Sequence, residues 1–178
     1  MKKVWSLVLA LCLLPLYALG EAAALPAQTA GSNLAAVRIN EFMASNGETL
    51  EDAMGESPDW IELYNTSDQD VDLAGLCLSD GKKMLDKFVF PSRILPAHGY
   101  LIIFASGREE VTEEEIHVPF KLSADGERVV LSYLGIILDI VSFDAQTKDV
   151  SMARYDDRSW RFTDFPTPGA ENQFSPEG

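Results

Sequence analysis

The feature that most constrains the fold is a series of short strand-like segments separated by turn residues, with no long segment of helical period. In one of them, Ile61 and Leu63 fall on one side of an extended chain. Trp60, Glu62 and Tyr64 fall on the other side. Short strands without alternating helices predict an all-β sandwich. The predicted strands are Val37–Met43, Trp60–Asn65, Val71–Ser79, Lys87–Phe90, Tyr100–Phe104, Ile116–Lys121, Arg128–Tyr133, Ile136–Phe143, Met152–Tyr155 and Trp160–Thr163.

The first residues have the pattern of a secretory signal peptide. Lys2 and Lys3 precede the uncharged apolar run Val4–Leu19, and small residues at Ala18 and Gly20 are spaced like a cleavage site. The run is short for a membrane span, which needs about 20 apolar residues. We therefore predict a cleaved signal peptide over residues 1–20, a flexible linker over 21–36, a β-sandwich domain over 37–172 and a linker-like tail over 173–178.

The charge of the chain excludes several classes of partner. The whole chain has a net charge of −14, and cleavage after Gly20 removes two lysines and no acidic residue, which makes it −16. Nucleic acids and anionic lipids are bound through Lys and Arg, so neither is an expected partner. The mature chain would keep a single cysteine, Cys77, which lies between two leucines and is expected to be a buried, inert thiol.

Several short pieces of sequence follow one another in a characteristic order. They are Ile39–Asn46, Pro58–Asn65, Val71–Gly75, Leu78–Asp80, Phe90–Pro91, Leu95–Tyr100, Phe120–Ser123, Gly126–Glu127, Asp139 with Val141, and Pro166–Asn172. Through these pieces the chain resembles the lamin tail domain, in its bacterial secreted form. The resemblance implies an immunoglobulin-like β-sandwich that is not a catalyst. It also implies a binding platform or an accessory module beside nucleases, hydrolases or spore-coat kinase-like domains.

The chain carries no recognisable catalytic or zinc-binding motif. The only histidines, His98 and His117, lie far apart in sequence, and neither belongs to an HExxH pattern. No serine lies in a GxSxG motif, and no glycine-rich phosphate loop is present. We therefore expect no enzyme activity, no catalytic residues, no bound cofactor and no transition-metal site.

A calcium site is one alternative that the sequence leaves open. Asp68, Asp70 and Asp72 occupy alternate positions, so their carboxylates would share one side of an extended segment. The pattern departs from an EF-hand loop, because Leu73 and Ser79 occupy the places of its glycine and its final glutamate. A polar turn with solvated acids is the other interpretation.

A binding surface on one face of the second predicted strand is another alternative. Trp60, Glu62 and Tyr64 share that face, and exposed aromatic rings there would suit a glycan or a peptide. Large aromatic side chains are more often buried, so packing within the sandwich is the competing interpretation.

The sequence as a whole predicts a monomeric, exported, non-catalytic binding or structural module, secreted or held at the cell surface. Its expected partner is a protein or a cell-envelope polymer, and no membrane insertion is expected after signal cleavage. The alternatives are an N-terminal accessory module of a larger secreted enzyme and a calcium- or glycan-binding β-sandwich.

Overall fold

A computed structural model describes residues 33–175. The predicted signal peptide, most of the predicted linker and the last three residues lie outside the described residues. The described part begins with a 3-10 turn, Leu34–Ala36, and contains no α-helix. Its strands are β1 Val37–Met43, β2 Asp59–Asn65, β3 Val71–Asp72, β4 Leu76–Ser79, β5 Phe88–Val89, β6 Ile94–Leu95, β7 Tyr100–Ala105, β8 Glu110–Val111, β9 Ile116–His117, β10 Gly126–Tyr133, β11 Ile136–Asp144, β12 Ser151–Arg154 and β13 Trp160–Thr163.

These strands form two main sheets and a small two-stranded one. The larger sheet has seven strands in the order β13-β12-β1-β2-β7-β9-β8, and the second has four in the order β11-β10-β4-β5. The small sheet pairs β3 with β6. Neighbouring strands are antiparallel except for β7 and β9. In the larger sheet, the pairings of β1 with β12 and of β2 with β7 join strands that are far apart in the chain.

The core lies between the two main sheets. Ile61 and Leu63 of β2 face it from the larger sheet, and Leu131 of β10 faces it from the smaller one; all three are fully buried. The rings of Phe42 and Phe143 meet across it with centroids 4.7 Å apart. The chain is therefore an all-β, immunoglobulin-like sandwich, as the sequence predicts.

Two predicted strands are shorter or divided in the structure. The segment predicted over Val71–Ser79 divides into β3 and β4, because Gly75 adopts a positive φ of 80° and its N–H donates to Phe90 O. Of the segment predicted over Ile116–Lys121, only Ile116–His117 forms a strand, β9, which pairs with β7 and β8. The short strands β6 and β8 have no alternating signal in the sequence and are not predicted by it.

The ordered domain extends slightly beyond both predicted boundaries. Leu34 packs into the core, although the prediction assigns it to the flexible linker. At the other end, the ring of Phe174 meets Tyr155 edge-on at 5.2 Å, although the prediction assigns it to the tail. Contacts with the domain therefore continue for a few residues on each side of the predicted boundaries. Within residues 33–175, no helix is long and apolar enough to cross a bilayer.

Cys77 is buried in β4, as predicted. Burial raises the pKa of its thiol, and the nearby carboxylate of Asp86 adds to the effect. Both influences disfavour the reactive thiolate.

Candidate functional site

A β-bulge in β1 creates the polar centre of the larger sheet. The register shifts between Ile39, which lies opposite Leu63, and Glu41, which lies opposite Glu62. The shift turns two consecutive side chains, Asn40 and Glu41, to the face that points away from the core. We call this face the outer face of the seven-stranded sheet.

A C-terminal segment, residues 166–172, covers the centre of this outer face. Thr167 donates to the Glu41 carboxylate through its backbone N–H, at 3.1 and 3.2 Å to the two oxygens, and through its hydroxyl at 3.0 Å. The Ser151 hydroxyl donates to the same carboxylate at 2.5 Å. We call residues 166–172 the closing segment, because these bonds tie it to the first strand of the domain.

The second buried carboxylate holds the same segment. Gly169 N–H donates to Glu62 Oε2 at 2.5 Å, and the Asn40 amide donates to Glu62 Oε1 at 2.7 Å. Burial, with a smaller contribution from the charge of Glu41, raises the pKa of Glu62 to about 7 against the lowering effect of these donors. Burial also raises the pKa of Glu41. Two neighbouring carboxylates without a cationic partner are costly to bury, so each proton they keep relieves part of that cost.

The outward residues of β2 occupy three different environments. Trp60 is fully buried beside Met43 and Phe104, with Leu50 of the 44–58 loop packed against them. Glu62 is buried under the closing segment, and only Tyr64 is partly open to solvent. Of the two interpretations of this face, packing within the protein therefore applies to Trp60 and Glu62, because the loop and the closing segment cover them.

The open end of the outer face is a groove around Tyr64. A cavity of about 410 Å³ and a second of about 200 Å³ lie side by side and share part of their walls. We call the pair the tyrosine groove. Its principal lining residues are Asn40, Tyr64, Tyr100, Arg154, Tyr155 and Asn172.

The aromatic rings of the groove are held by their neighbours. Tyr64 lies opposite Tyr100 in the pairing of β2 with β7, and their rings stack at 4.7 Å with 29° between their planes. The guanidinium of Arg161 lies 3.4 Å from the centre of the Tyr155 ring. Tyr155 nevertheless remains 47% exposed. The groove therefore presents fixed aromatic surface to solvent.

The polar floor of the groove is equally fixed. Asn40 donates to Asn172 Oδ1 at 2.9 Å, and Asn172 donates to Arg154 O at 2.8 Å. The Arg154 guanidinium pairs with Asp139 at 2.6 Å and donates to Ile39 O at 2.8 Å. The closing segment therefore supplies one wall of the groove and also locks its floor.

The structure separates the three aspartates of the calcium hypothesis. Asp68 Oδ1 lies 2.9 Å from His98 Nε2 and accepts a hydrogen bond in the tautomer that carries its proton there. His98 Nδ1 lies 3.2 Å from the Tyr64 hydroxyl. Asp70 accepts from Ala97 N–H at 3.0 Å. Asp72 accepts from Arg93 N–H, Ala74 N–H and the Ser92 hydroxyl. Over residues 33–175, no group of three or more His, Cys, Asp or Glu side chains is placed to hold a metal ion.

A Ser–His–Glu array that the sequence analysis missed lies at the other end of β7. His117 Nδ1 is 3.0 Å from Ser106 Oγ, and its Nε2 is 3.3 Å from Glu115. Arg108 Nη2 also lies 3.3 Å from His117 Nδ1. Because the arginine is only a donor, it competes for the nitrogen that would take a proton from Ser106. Asp52 of the 44–58 loop pairs with the same arginine at 2.6 Å, which joins that loop to the array.

The sequence contains a weak signal for the bulge in β1 but none for the rest of the groove. The apolar spacing changes from two, between Val37 and Ile39, to three, between Ile39 and Phe42, which indicates a bulge. No local pattern in the sequence indicates the strand register that places Tyr64 opposite Tyr100. No local pattern indicates that Asn172 returns to β1.

Comparison with known proteins identifies the family. The model of the Lamin Tail Domain family matches residues 30–145, which is more than half of the chain. β12, β13 and the closing segment follow the matched region. No curated protein matches the sequence. The family is a non-enzymatic, immunoglobulin-like domain type, in agreement with the sandwich described here. The chain belongs to the lamin tail domain family.

Proposed function

We propose that this protein is an exported, non-catalytic binding module that attaches to a component of the cell envelope through the tyrosine groove. The observation that carries the proposal is the unequal covering of the outer face. The loop covers one end and the closing segment covers the centre, while the aromatic end stays open. Partly exposed aromatic rings with fixed polar neighbours are typical of binding sites.

The chemistry of the groove supports binding without catalysis. Its arginine, Arg154, is already paired with Asp139, and its amides, Asn40 and Asn172, are bonded to each other. Tyrosine hydroxyls are poor acids and bases near neutral pH, because the usual pKa of the group is about 10. In Tyr100 burial raises the pKa further, and the nearby Tyr64 adds to this effect. The groove therefore offers shape and hydrogen bonds and lacks an activated nucleophile.

The proposed location rests on the sequence. The charged start at Lys2 and Lys3, followed by the apolar run Val4–Leu19, is typical of an export signal. The strongly acidic composition favours solubility and disfavours binding to anionic polymers through bulk charge. Attachment would therefore depend on a specific site.

Co-sedimentation tests this function. The mature chain, residues 21–178, is mixed with washed envelopes from the cells that produce it, and the bound fraction is measured over a range of protein concentrations. The proposal expects saturable binding that an excess of unlabelled chain displaces. A chain that stays in the supernatant at every concentration contradicts it. Phe162→Ala provides a control, because Phe162 is 49% exposed and lies outside the groove-lining residues.

A further inference from the structure

We propose that the ligand of the tyrosine groove is a neutral oligosaccharide, an inference that rests on the binding function proposed above. The groove combines flat aromatic surface with hydrogen-bonding groups that make no hydrogen bond to the part of the chain that the structure describes. A pyranose ring has a C–H face that packs on an aromatic ring and hydroxyl groups along its edge. The geometry of the groove meets both requirements.

The first element is the set of unused hydrogen-bonding groups. Within residues 33–175, the hydroxyls of Tyr100 and Tyr155 and the carboxylate of Glu171 make no hydrogen bond, and all three residues line the larger cavity. A phenol both donates and accepts, and a carboxylate accepts two or more hydrogen bonds. Sugar hydroxyls, which also donate and accept, can satisfy all three groups at once.

The second element is rigidity. The Tyr64 ring is fixed by its stack on Tyr100 and by its hydroxyl contact with His98, which Asp68 holds in turn. Aromatic side chains that are already ordered lose little conformational entropy on binding. The cavity of about 410 Å³ lies within the usual range for small-molecule sites, roughly 300–1,000 Å³.

The charges around the groove select against acidic ligands. Asp156 and Asp157 line the smaller cavity together with Arg38, and Glu171 lines the larger one. The positive charge of Arg154 is neutralised by its pair with Asp139. The three carboxylates outnumber Arg38, so a uronic acid polymer or a phosphorylated polymer would face net negative charge that a neutral sugar does not meet.

The position of the groove selects against an extended peptide. It lies over β12, β1, β2 and β7. The first three are paired on both sides, and β7 pairs with β9 only at Phe104, at the opposite end from Tyr100. A peptide that adds to a sheet needs an unpaired strand edge, and among the described strands under the groove only the Tyr100 end of β7 offers one. A ligand lying across the centre of the groove is therefore held through side chains.

Titration with soluble sugars tests the inference. The folded mature chain is titrated with cello-, chito-, manno- and xylo-oligosaccharides, with an oligogalacturonate as the acidic comparison and a proline-rich peptide as the peptide comparison. Heat of binding and amide chemical shifts are measured together. The expected result is binding of at least one neutral sugar, with shifts at the groove and none with the acidic sugar.

Variants locate the site. Tyr155→Ala removes an exposed ring, and Tyr100→Phe removes only a hydroxyl and leaves the stack in place. We expect about tenfold weaker binding for Tyr155→Ala and a smaller loss for Tyr100→Phe, against a change below about twofold for the control Phe162→Ala. Unchanged melting temperatures confirm that the variants fold.

Each other outcome overturns the inference. Absence of binding by all neutral sugars refutes it, and so does binding that Tyr155→Ala and Tyr100→Phe leave unchanged. Groove-dependent binding of the peptide or the oligogalacturonate in place of neutral sugars refutes the ligand class. If the chain binds envelopes while neutral sugars fail, this inference is wrong and the proposed function stands; if envelope binding also fails, both are wrong.

Discussion

Replacing Glu62 with glutamine should remove a pH dependence of stability that the buried carboxylate creates. Glu62 is fully buried, and its pKa is raised from 4.5 to about 7, chiefly by burial. Between pH 4.5 and about pH 7, Glu62 keeps its proton in the folded protein and releases it in the unfolded chain. The free energy of unfolding therefore falls as pH rises through this window. Below pH 4.5 both states hold the proton, and well above pH 7 neither does.

The size of the effect follows from the width of the window. One pKa unit corresponds to about 1.4 kcal/mol, so the ionisation of Glu62 should cost about 3 kcal/mol of stability between pH 4.5 and pH 8.5. Glutamine cannot ionise, although it loses one acceptor toward Asn40 or Gly169. That loss is a constant offset, because neither donor titrates in this range.

Urea denaturation of both proteins at a series of pH values measures the effect. The stability of Glu62→Gln relative to the parent should increase by about 3 kcal/mol from pH 4.5 to pH 8.5. Glu41, Asp59 and Glu127, whose pKa values burial also raises, are present in both proteins. Glu171→Gln, at an exposed position in the closing segment, serves as the control and should leave the profile unchanged. If the free energy of unfolding changes with pH in the same way in the parent and in Glu62→Gln, the ionisation of Glu62 does not create the pH dependence.

Three further predictions concern the other parts of the outer face. Thr167→Val should lower the free energy of unfolding by about 1–3 kcal/mol, because the buried Glu41 carboxylate loses a donor. Thr147→Val, at an exposed position, should change it little. Equal effects of the two substitutions in urea denaturation would show that the bond from the closing segment to Glu41 does not stabilise the fold. Trp60→Ala should cost about 3–5 kcal/mol in the same assay, since its ring is core; an unchanged stability would place it on the surface. Millimolar calcium should leave the melting temperature unmoved, because the carboxylates within Asp68–Asp72 are engaged separately, and a clear rise would contradict this placement.

The strands and the family could be predicted from the sequence because their signals are local. Alternation in β2 places Ile61 and Leu63 toward the core, and the motif pieces fix the order of the strands. The same alternation places Trp60, Glu62 and Tyr64 together on one face, which is correct. Their exposure could not be predicted, because what covers each of them comes from elsewhere in the chain.

The groove depends on contacts between distant segments. Tyr64 meets Tyr100 through a register, and Asn172 reaches Asn40 from more than a hundred residues away. No residue near Glu62 in the sequence indicates that Gly169 will cover its carboxylate. A carboxylate in an apolar strand is, however, a local contradiction, and such contradictions often mark a site where another segment docks.

Hydrogen exchange of the envelope-bound chain tests whether the tyrosine groove is the binding surface. Exchange is compared between the free chain and the chain bound to washed envelopes. Attachment through the groove predicts slower exchange on binding in residues 154–157 and 171–174, which surround it. The exposed side chains of Val89 and Ile137 lie on the four-stranded sheet. Slower exchange confined to that sheet, with exchange in residues 154–157 and 171–174 unchanged, would contradict attachment through the groove.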